Sequence, residues 1–190
     1  MIDMEHEYHS FTVSVLDEIY QVTKTVDTAE VDNFVEEILR AEKVFFIAVG
    51  RVFLSLQCMA KRLSHLGIDC HVVGSITEKA ITSKDLLVVA SGSGESKVPV
   101  IISQIAKKHN AKVGLITSAE QSTIKSMADL CVHLKCPTKT NMQEGVKSIQ
   151  PMSTLFDQSL HVFGDILSLI IQNRKSVHGH ELWKYHANLE

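Results

Sequence analysis

Five short runs of consecutive apolar residues punctuate this chain: Val44-Phe45-Phe46-Ile47-Ala48-Val49, Cys70-His71-Val72-Val73, Leu86-Leu87-Val88-Val89-Ala90, Lys112-Val113-Gly114-Leu115-Ile116-Thr117 and Leu130-Cys131-Val132-His133-Leu134. They do not alternate with polar residues. Runs of this kind and length suit strands buried on both faces, as in a parallel sheet. Between them lie segments with helical spacing. Residues 54–66 are helical up to Gly67, a left-handed C-cap, and 98–109 are helical with Pro99 in the first turn; 122–128 make a short helix. Strands that alternate with helices through short connections build βαβ units. The expected fold is therefore a three-layer α/β/α domain around a five-stranded parallel sheet.

Two helices come before the sheet. Residues 5–22 carry Phe11, Val15, Ile19 and Val22 as one apolar stripe. The next helix starts at Thr28, read as its N-cap, and places Val31, Phe34, Val35, Ile38 and Leu39 on one face. After the sheet, residues 135–150 are polar and weakly periodic, which fits a long functional loop or an interface arm. Residues 152–171 form a helix that is apolar on more than one face, suited to burial on two sides and against another subunit. The whole chain, 1–190, is read as one domain: N-terminal helices 5–41, α/β core 44–134, loop 135–150, and C-terminal helix and tail 151–190.

Composition narrows the function. A formal net charge of -3 argues against a nucleic-acid binder, which shows a basic excess or stripe. The N-terminus is acidic and lacks the apolar segment of a signal peptide, and no apolar run approaches the roughly 20 residues that span a bilayer. The four cysteines form no CxxC pair and read as free thiols in a reducing compartment, so the expected setting is cytoplasmic. The histidines show no HExxH pattern, and His178-Gly179-His180 is too weak a signal to assign a metal.

Ser91-Gly92-Ser93-Gly94-Glu95-Ser96 is the strongest local signal. It follows a buried strand and opens a helix. Its glycines let the backbone turn tightly and approach a ligand. Successive N–H groups, the helix dipole and three hydroxyls favour a phosphate there. The loop sits at the carboxyl end of a strand, where ligands bind in open α/β sheets. It lacks the Gly-Lys-Ser/Thr of a nucleotide P-loop, and Gly50-Arg51 does not complete a GxGxxG.

These residues give the chain a resemblance to the sugar isomerase (SIS) domain family, and in particular to its 6-phospho-3-hexuloisomerase branch. The resemblance is carried by Ala48-Val49-Gly50-Arg51, Arg62-Leu63-Ser64-His65-Leu66-Gly67, the 91–96 loop, Ile116-Thr117-Ser118, Pro151-Met152-Ser153-Thr154-Leu155-Phe156-Asp157-Gln158 and His186-Ala187-Asn188-Leu189-Glu190. It implies a flavodoxin-like sheet, a homotetramer (or a homodimer), and aldose–ketose type isomerisation of a phosphorylated sugar without a cofactor. It also implies that Ser91, Ser93 and Ser96 hold the phosphate, with Ser118 nearby; Gly92 and Gly94 of the loop are read as phosphate-binding with them.

Two departures stand out. Val52-Phe53 replace the Ser-Gly that the family usually carries after Gly50-Arg51, and Asp157 replaces a Glu, one methylene longer, that is a candidate base. The chemistry needs one group to move a proton between neighbouring carbons through an enediol. Asp157 is the candidate by position, and His186 the candidate for ring opening or proton transfer between oxygens. Arg51 can balance an anionic ligand or pair with a carboxylate at a subunit contact, and Glu95 can orient the loop by accepting N–H groups. Two readings follow: an isomerase of 6-phospho-3-hexulose and fructose 6-phosphate or of another phosphosugar, and a regulatory sugar-phosphate-binding protein with an altered catalytic shell.

Overall fold

A computed structural model describes residues 3–138 and 145–189. Residues 139–144 of the expected loop and Glu190 at the end of the tail lie outside the described residues. The elements run α1 (Met4–Thr23), α2 (Thr28–Arg40), β1 (Val44–Ile47), α3 (Gly50–His65), β2 (Cys70–Val72), β3 (Leu86–Ala90), α4 (Lys97–Lys108), β4 (Lys112–Thr117), β5 (Leu130–His133) and α5 (Thr154–Arg174), then a 3-10 segment (Gly179–Tyr185). The five strands form one sheet in the order β2-β1-β3-β4-β5, and every pairing is parallel.

The pleat sends alternate side chains to opposite faces. Val44 and Phe46 of β1 join Phe34, Ile38, Leu56, Leu63, Phe156, Leu160 and Phe163 from α2, α3 and α5 in one core. Phe45 and Ile47 join Ala106, Val113, Leu115 and Ile124 on the other face, under α4. Helices thus cover both sides, as the uninterrupted apolar strands require. Chain order reverses between β1 and β3, so a crevice opens at their carboxyl ends, where ligands bind in this architecture.

Several local expectations are corrected. The N-cap of α2 is Asp27, not Thr28, because the Asp27 carboxylate accepts the Ala29 N–H at 2.8 Å. Helix α3 starts at Gly50, four residues before the apolar spacing shows it, so Val52 and Phe53 are helical. Residues 122–128 make only turns, closed by Ser126 N–H to Ser122 O and Ala128 N–H to Ile124 O, both 3.0 Å. On α1 the stripe is buried only at its C-terminal end: Val22 is fully buried, whereas Phe11 is 53% exposed. Among the described residues α5 is the one helix long and apolar enough to cross a bilayer, against the expectation that no run approaches that length. Its apolar face is instead buried in the core through Leu160, Phe163, Leu167 and Ile171.

The segment that leads into α5 is held by one carboxylate. Glu18 of α1 accepts hydrogen bonds from the Ile149 N–H (2.8 Å), the Ser148 hydroxyl (2.7 Å) and the Gln150 amide (2.9 Å). Burial pushes the Glu18 carboxyl up, but these three donors outweigh it and hold the group below its ordinary range.

Candidate functional site

The 91–96 loop takes its shape from bonds that the residues after β3 and at the end of β4 supply. The Thr117 hydroxyl donates to the Ser91 carbonyl at 2.7 Å, and the Ser118 N–H donates to the Gly92 carbonyl at 3.1 Å. Within the loop the Gly94 N–H donates to Ser91 Oγ at 3.0 Å, and Ser91 Oγ lies 3.3 Å from Ser96 Oγ. Gly94 has φ +64°, and a Cβ there would collide with Oγ and Cβ of Ser122. No other residue type fits that turn without moving the chain. Glu95 accepts from the Thr123 N–H (2.7 Å) and hydroxyl (2.8 Å), which holds its carboxyl below the ordinary range. It ties the loop to the turn that follows β4.

Ser96 is the N-cap of α4, and its side chain makes no capping bond. The positive end of α4 therefore faces the crevice beside the hydroxyls of Ser91, Ser93 and Ser96.

Opposite the loop, Arg51 in the first turn of α3 meets Asp157 in the first turn of α5. Arg51 Nε donates to Asp157 Oδ2 at 2.9 Å. The Asp157 side chain is 5% exposed and that of Arg51 is 69% exposed. Asp157 Oδ1 is buried and has no hydrogen-bond partner among the described residues. Burial pushes the Asp157 carboxyl up; the hydrogen bond and charge of Arg51 oppose this without cancelling it. A buried carboxylate with one oxygen held and the other without a partner, its proton affinity raised, has the make-up of a general base.

A cavity of about 320 Å³ gathers these parts. It is walled by Val49, Gly50, Arg51 and Val52 of the β1–α3 turn, by Ser91, Gly92, Ser93 and Ser96, by Pro137 and Thr138, and by Met152, Ser153, Phe156 and Asp157. Gly94 is not part of that wall and shapes the loop from behind.

Three expected features sit elsewhere. Ser118 is buried behind the loop, 2% exposed, and supports it through its backbone. Its carbonyl accepts from His133 Nε2 at 2.7 Å. Because a carbonyl can only accept, that nitrogen carries the proton. Phe53 does not line the cavity whereas Val52 does, and both side chains pack, partly buried, against the core. His186 packs at the far end of α3, its ring 4.9 Å from that of His65 and 5.1 Å from that of Trp183. From Arg51 to His65 the helix rises about 21 Å, so His186 does not share a cavity with Asp157 of its own chain. A separate cavity of about 460 Å³ lies at that end, lined by His65, Trp183 and His186. Arg62 and Asp165 also line it, and among the described residues no glycine does.

Sequence reasoning assigns no role to Thr117, Ser122 or Thr123, which shape the loop. A signal for Thr117 exists: strands β3 and β4 pair Ala90 with Ile116, which puts the next residue on each strand, Ser91 and Thr117, side by side. Among the described residues, no three His, Cys, Asp or Glu side chains gather as metal ligands.

Comparison with known proteins points the same way. The sequence model of the SIS domain matches residues 37–162. A protein of Mycobacterium gastri named 3-hexulose-6-phosphate isomerase is 35% identical over 176 residues, covering 93% of this chain and 88% of that protein. One of the same name from Bacillus subtilis (strain 168) is 31% identical over 180 residues, covering 95% and 97%. Among solved structures, a hypothetical protein of Methanococcus jannaschii, inferred to be a 3-hexulose-6-phosphate isomerase, superposes with a TM-score of 0.82 at 28% identity, over 95% of this chain and 99% of that one.

Proposed function

The chain belongs to the SIS domain family, and on that footing we propose that it is a phosphosugar isomerase interconverting 6-phospho-3-hexulose and fructose 6-phosphate. One observation carries the reading: a Ser/Gly loop at a helix N-terminus and a largely buried carboxylate, one of its oxygens without a hydrogen-bond partner among the described residues, wall the same cavity of about 320 Å³. That volume suits a single small ligand. The full-length likeness to proteins named 3-hexulose-6-phosphate isomerase supports the choice of sugar.

In this reading the phosphoryl group rests on the hydroxyls and N–H groups of residues 91–96 and on the positive end of α4. The Asp157 carboxylate takes the proton from the hydroxyl-bearing carbon next to the carbonyl. The electron pair of that C–H bond becomes the carbon–carbon double bond of an enediol, and the carbonyl π pair moves to its oxygen, which takes up a proton from the group that later recovers one from the neighbouring hydroxyl, the role assigned to His186. The proton held by Asp157 returns to the former carbonyl carbon, and the neighbouring hydroxyl loses its proton as it becomes the new carbonyl. No electrons leave the sugar, so the step calls for no redox cofactor. Val52 presents methyl groups where a hydroxyl would otherwise reach the sugar.

The proposal extends to the assembly. Leu16 (62% exposed) and Tyr20 (61%) on α1, with Leu169 (59%) on α5, leave apolar surface that a homotetramer or homodimer would cover. Exposed apolar patches of this kind mark interaction surfaces. In such an assembly His186 serves a neighbouring subunit's site. The whole chain acts as one domain, and its four free thiols fit a reducing, cytoplasmic setting.

The test is a coupled assay on a panel of sugar phosphates, with solvent deuterium incorporation as a second readout. Turnover of 6-phospho-3-hexulose with deuterium entering the sugar is the expected result. Binding with no exchange for any sugar phosphate would overturn the isomerase reading. It would leave a regulatory sugar-phosphate-binding protein, which the shorter reach of Asp157 and its tie to Arg51 favour.

A further inference from the structure

We propose that Arg51 couples the two halves of the site: its Nε holds Asp157 while its outer nitrogens face the anion gathered by the 91–96 loop, so that anion binding strengthens Asp157 as a base. The inference rests on reading the loop as an anion site and Asp157 as the base.

The geometry makes Arg51 a bridge. A guanidinium has five N–H donors in a rigid fork. The bond to Asp157 uses Nε, at 2.9 Å. The side chain is otherwise 69% exposed, and Arg51 walls the same cavity as Ser91, Ser93 and Ser96. One cation can thus face two anions, one belonging to the protein and one to the ligand. A lysine has no such fork.

The consequence is electrostatic. Asp157 is disfavoured as a carboxylate by burial, and the hydrogen bond and charge of Arg51 are what oppose that penalty. When a ligand dianion shares the guanidinium, part of that opposing field is neutralised while the burial remains. Asp157 then takes a proton more readily. Among the described residues, the Asp157 charge also bears on Cys136, from the segment after β5. Its thiol is pushed up to about 11 and stays neutral. Glu95 of the loop is held on Thr123. The arrangement makes selection for phosphorylated sugars act on proton transfer as well as on binding: a sugar lacking the phosphoryl group meets the weaker base. The coupling is reciprocal, so protonating Asp157 must tighten anion binding by the same factor.

Sulfate is the probe, since it stays a dianion through the range of interest. Calorimetric titration of sulfate into the full chain, in two buffers of different ionisation enthalpy across about pH 5 to 7, counts the protons taken up. Wild type is expected to take up protons as sulfate binds, with affinity rising by up to about tenfold per pH unit toward acid. Asp157→Asn should bind sulfate without that uptake, and Arg51→Met should bind more weakly and also without it. A purely structural role for Arg51 would leave the proton count unchanged. Equal proton counts in wild type and Asp157→Asn would overturn the coupling. No sulfate binding at all would overturn the anion loop and the coupling with it. Intact uptake in a chain that isomerises nothing would support the coupling and overturn only the isomerase reading.

Discussion

Asp157 is held at a cost to the fold, and that cost is measurable. Its folded-state proton affinity is raised above the ordinary carboxylate value, so the ionised form is the one the fold disfavours. Its contribution is therefore destabilising at neutral pH and fades as pH falls through its folded-state value. Asp157→Asn should melt at the same temperature as wild type or higher at pH 7, with the gap closing in acid; a variant melting well below wild type at neutral pH would show that the ion pair with Arg51 outweighs burial. The same variant should keep sugar-phosphate affinity and lose about 10²- to 10⁴-fold in turnover, the usual share of general-base catalysis. Asp157→Glu should keep or raise the rate if reach is limiting. Gly94→Ala tests the loop, because its side chain would be forced to φ +64° and against Ser122. Such strain should cost about 1–3 kcal/mol locally, read as weaker sugar-phosphate binding. The loop's place between a buried strand and a helix was legible in the sequence, because an apolar run followed by closely spaced glycines and serines marks that turn. Phe53 and His186 were not, for a directional reason. Once α3 starts at Gly50, successive residues point about 100° apart, so Val52 reaches the cavity wall and Phe53 does not. Periodicity says nothing about where a tail docks.

Among the elements, the entry to α5 decides whether Asp157 stands where it must, and α1 governs that entry through Glu18. Its carboxylate collects three donors from residues 148–150, just ahead of Met152 and Ser153, which wall the cavity and lead into the first turn of α5. Because its folded-state value lies below the ordinary range, its contribution is fully present above the unfolded value and is lost as pH falls through the folded one. Glu18→Ala should cost about 1–3 kcal/mol in denaturant unfolding, since it leaves the Ile149 N–H without its acceptor. That loss should shrink in acid, where wild type gives up the same bonds. An unchanged midpoint at neutral pH would remove Glu18 from this role. The clamp joins residues 130 to 132 positions apart, which no local pattern reveals. The strands, by contrast, were plain, since a run buried on both faces leaves no alternation to misread. Residues 122–128 imitate a helix in sequence but do not form one. Ile124 anchors them in the core, and one buried side chain gives a helix too little to hold.

For the molecule as a whole, the question is whether one chain contains a complete site. Within a chain Asp157 and His186 lie about a helix length apart, roughly 21 Å along α3. The exposed apolar residues of α1 and α5 supply a reason for chains to associate. Light scattering at micromolar concentration should therefore return a multiple of 21.1 kDa. Leu16→Glu with Tyr20→Glu should shift the mass toward the monomer. Activity decides what the assembly is for. If His186 acts on a neighbour's substrate, Asp157→Asn assemblies and His186→Asn assemblies are each inactive, yet each carries the group the other lacks. Unfolded together and refolded as mixed oligomers, they should recover activity, because some sites then combine an intact Asp157 from one chain with an intact His186 from another. The dissociating Leu16 and Tyr20 variant should abolish that recovery while leaving sulfate binding at the 91–96 loop in place. If His186 instead serves structure alone, through its stack on His65 and Trp183, then His186→Asn keeps turnover at reduced stability and mixing restores nothing. A monomer that turns over sugar phosphate at the full rate would end the shared-site reading, and the second proton donor would then have to be sought along the cavity wall of the same chain.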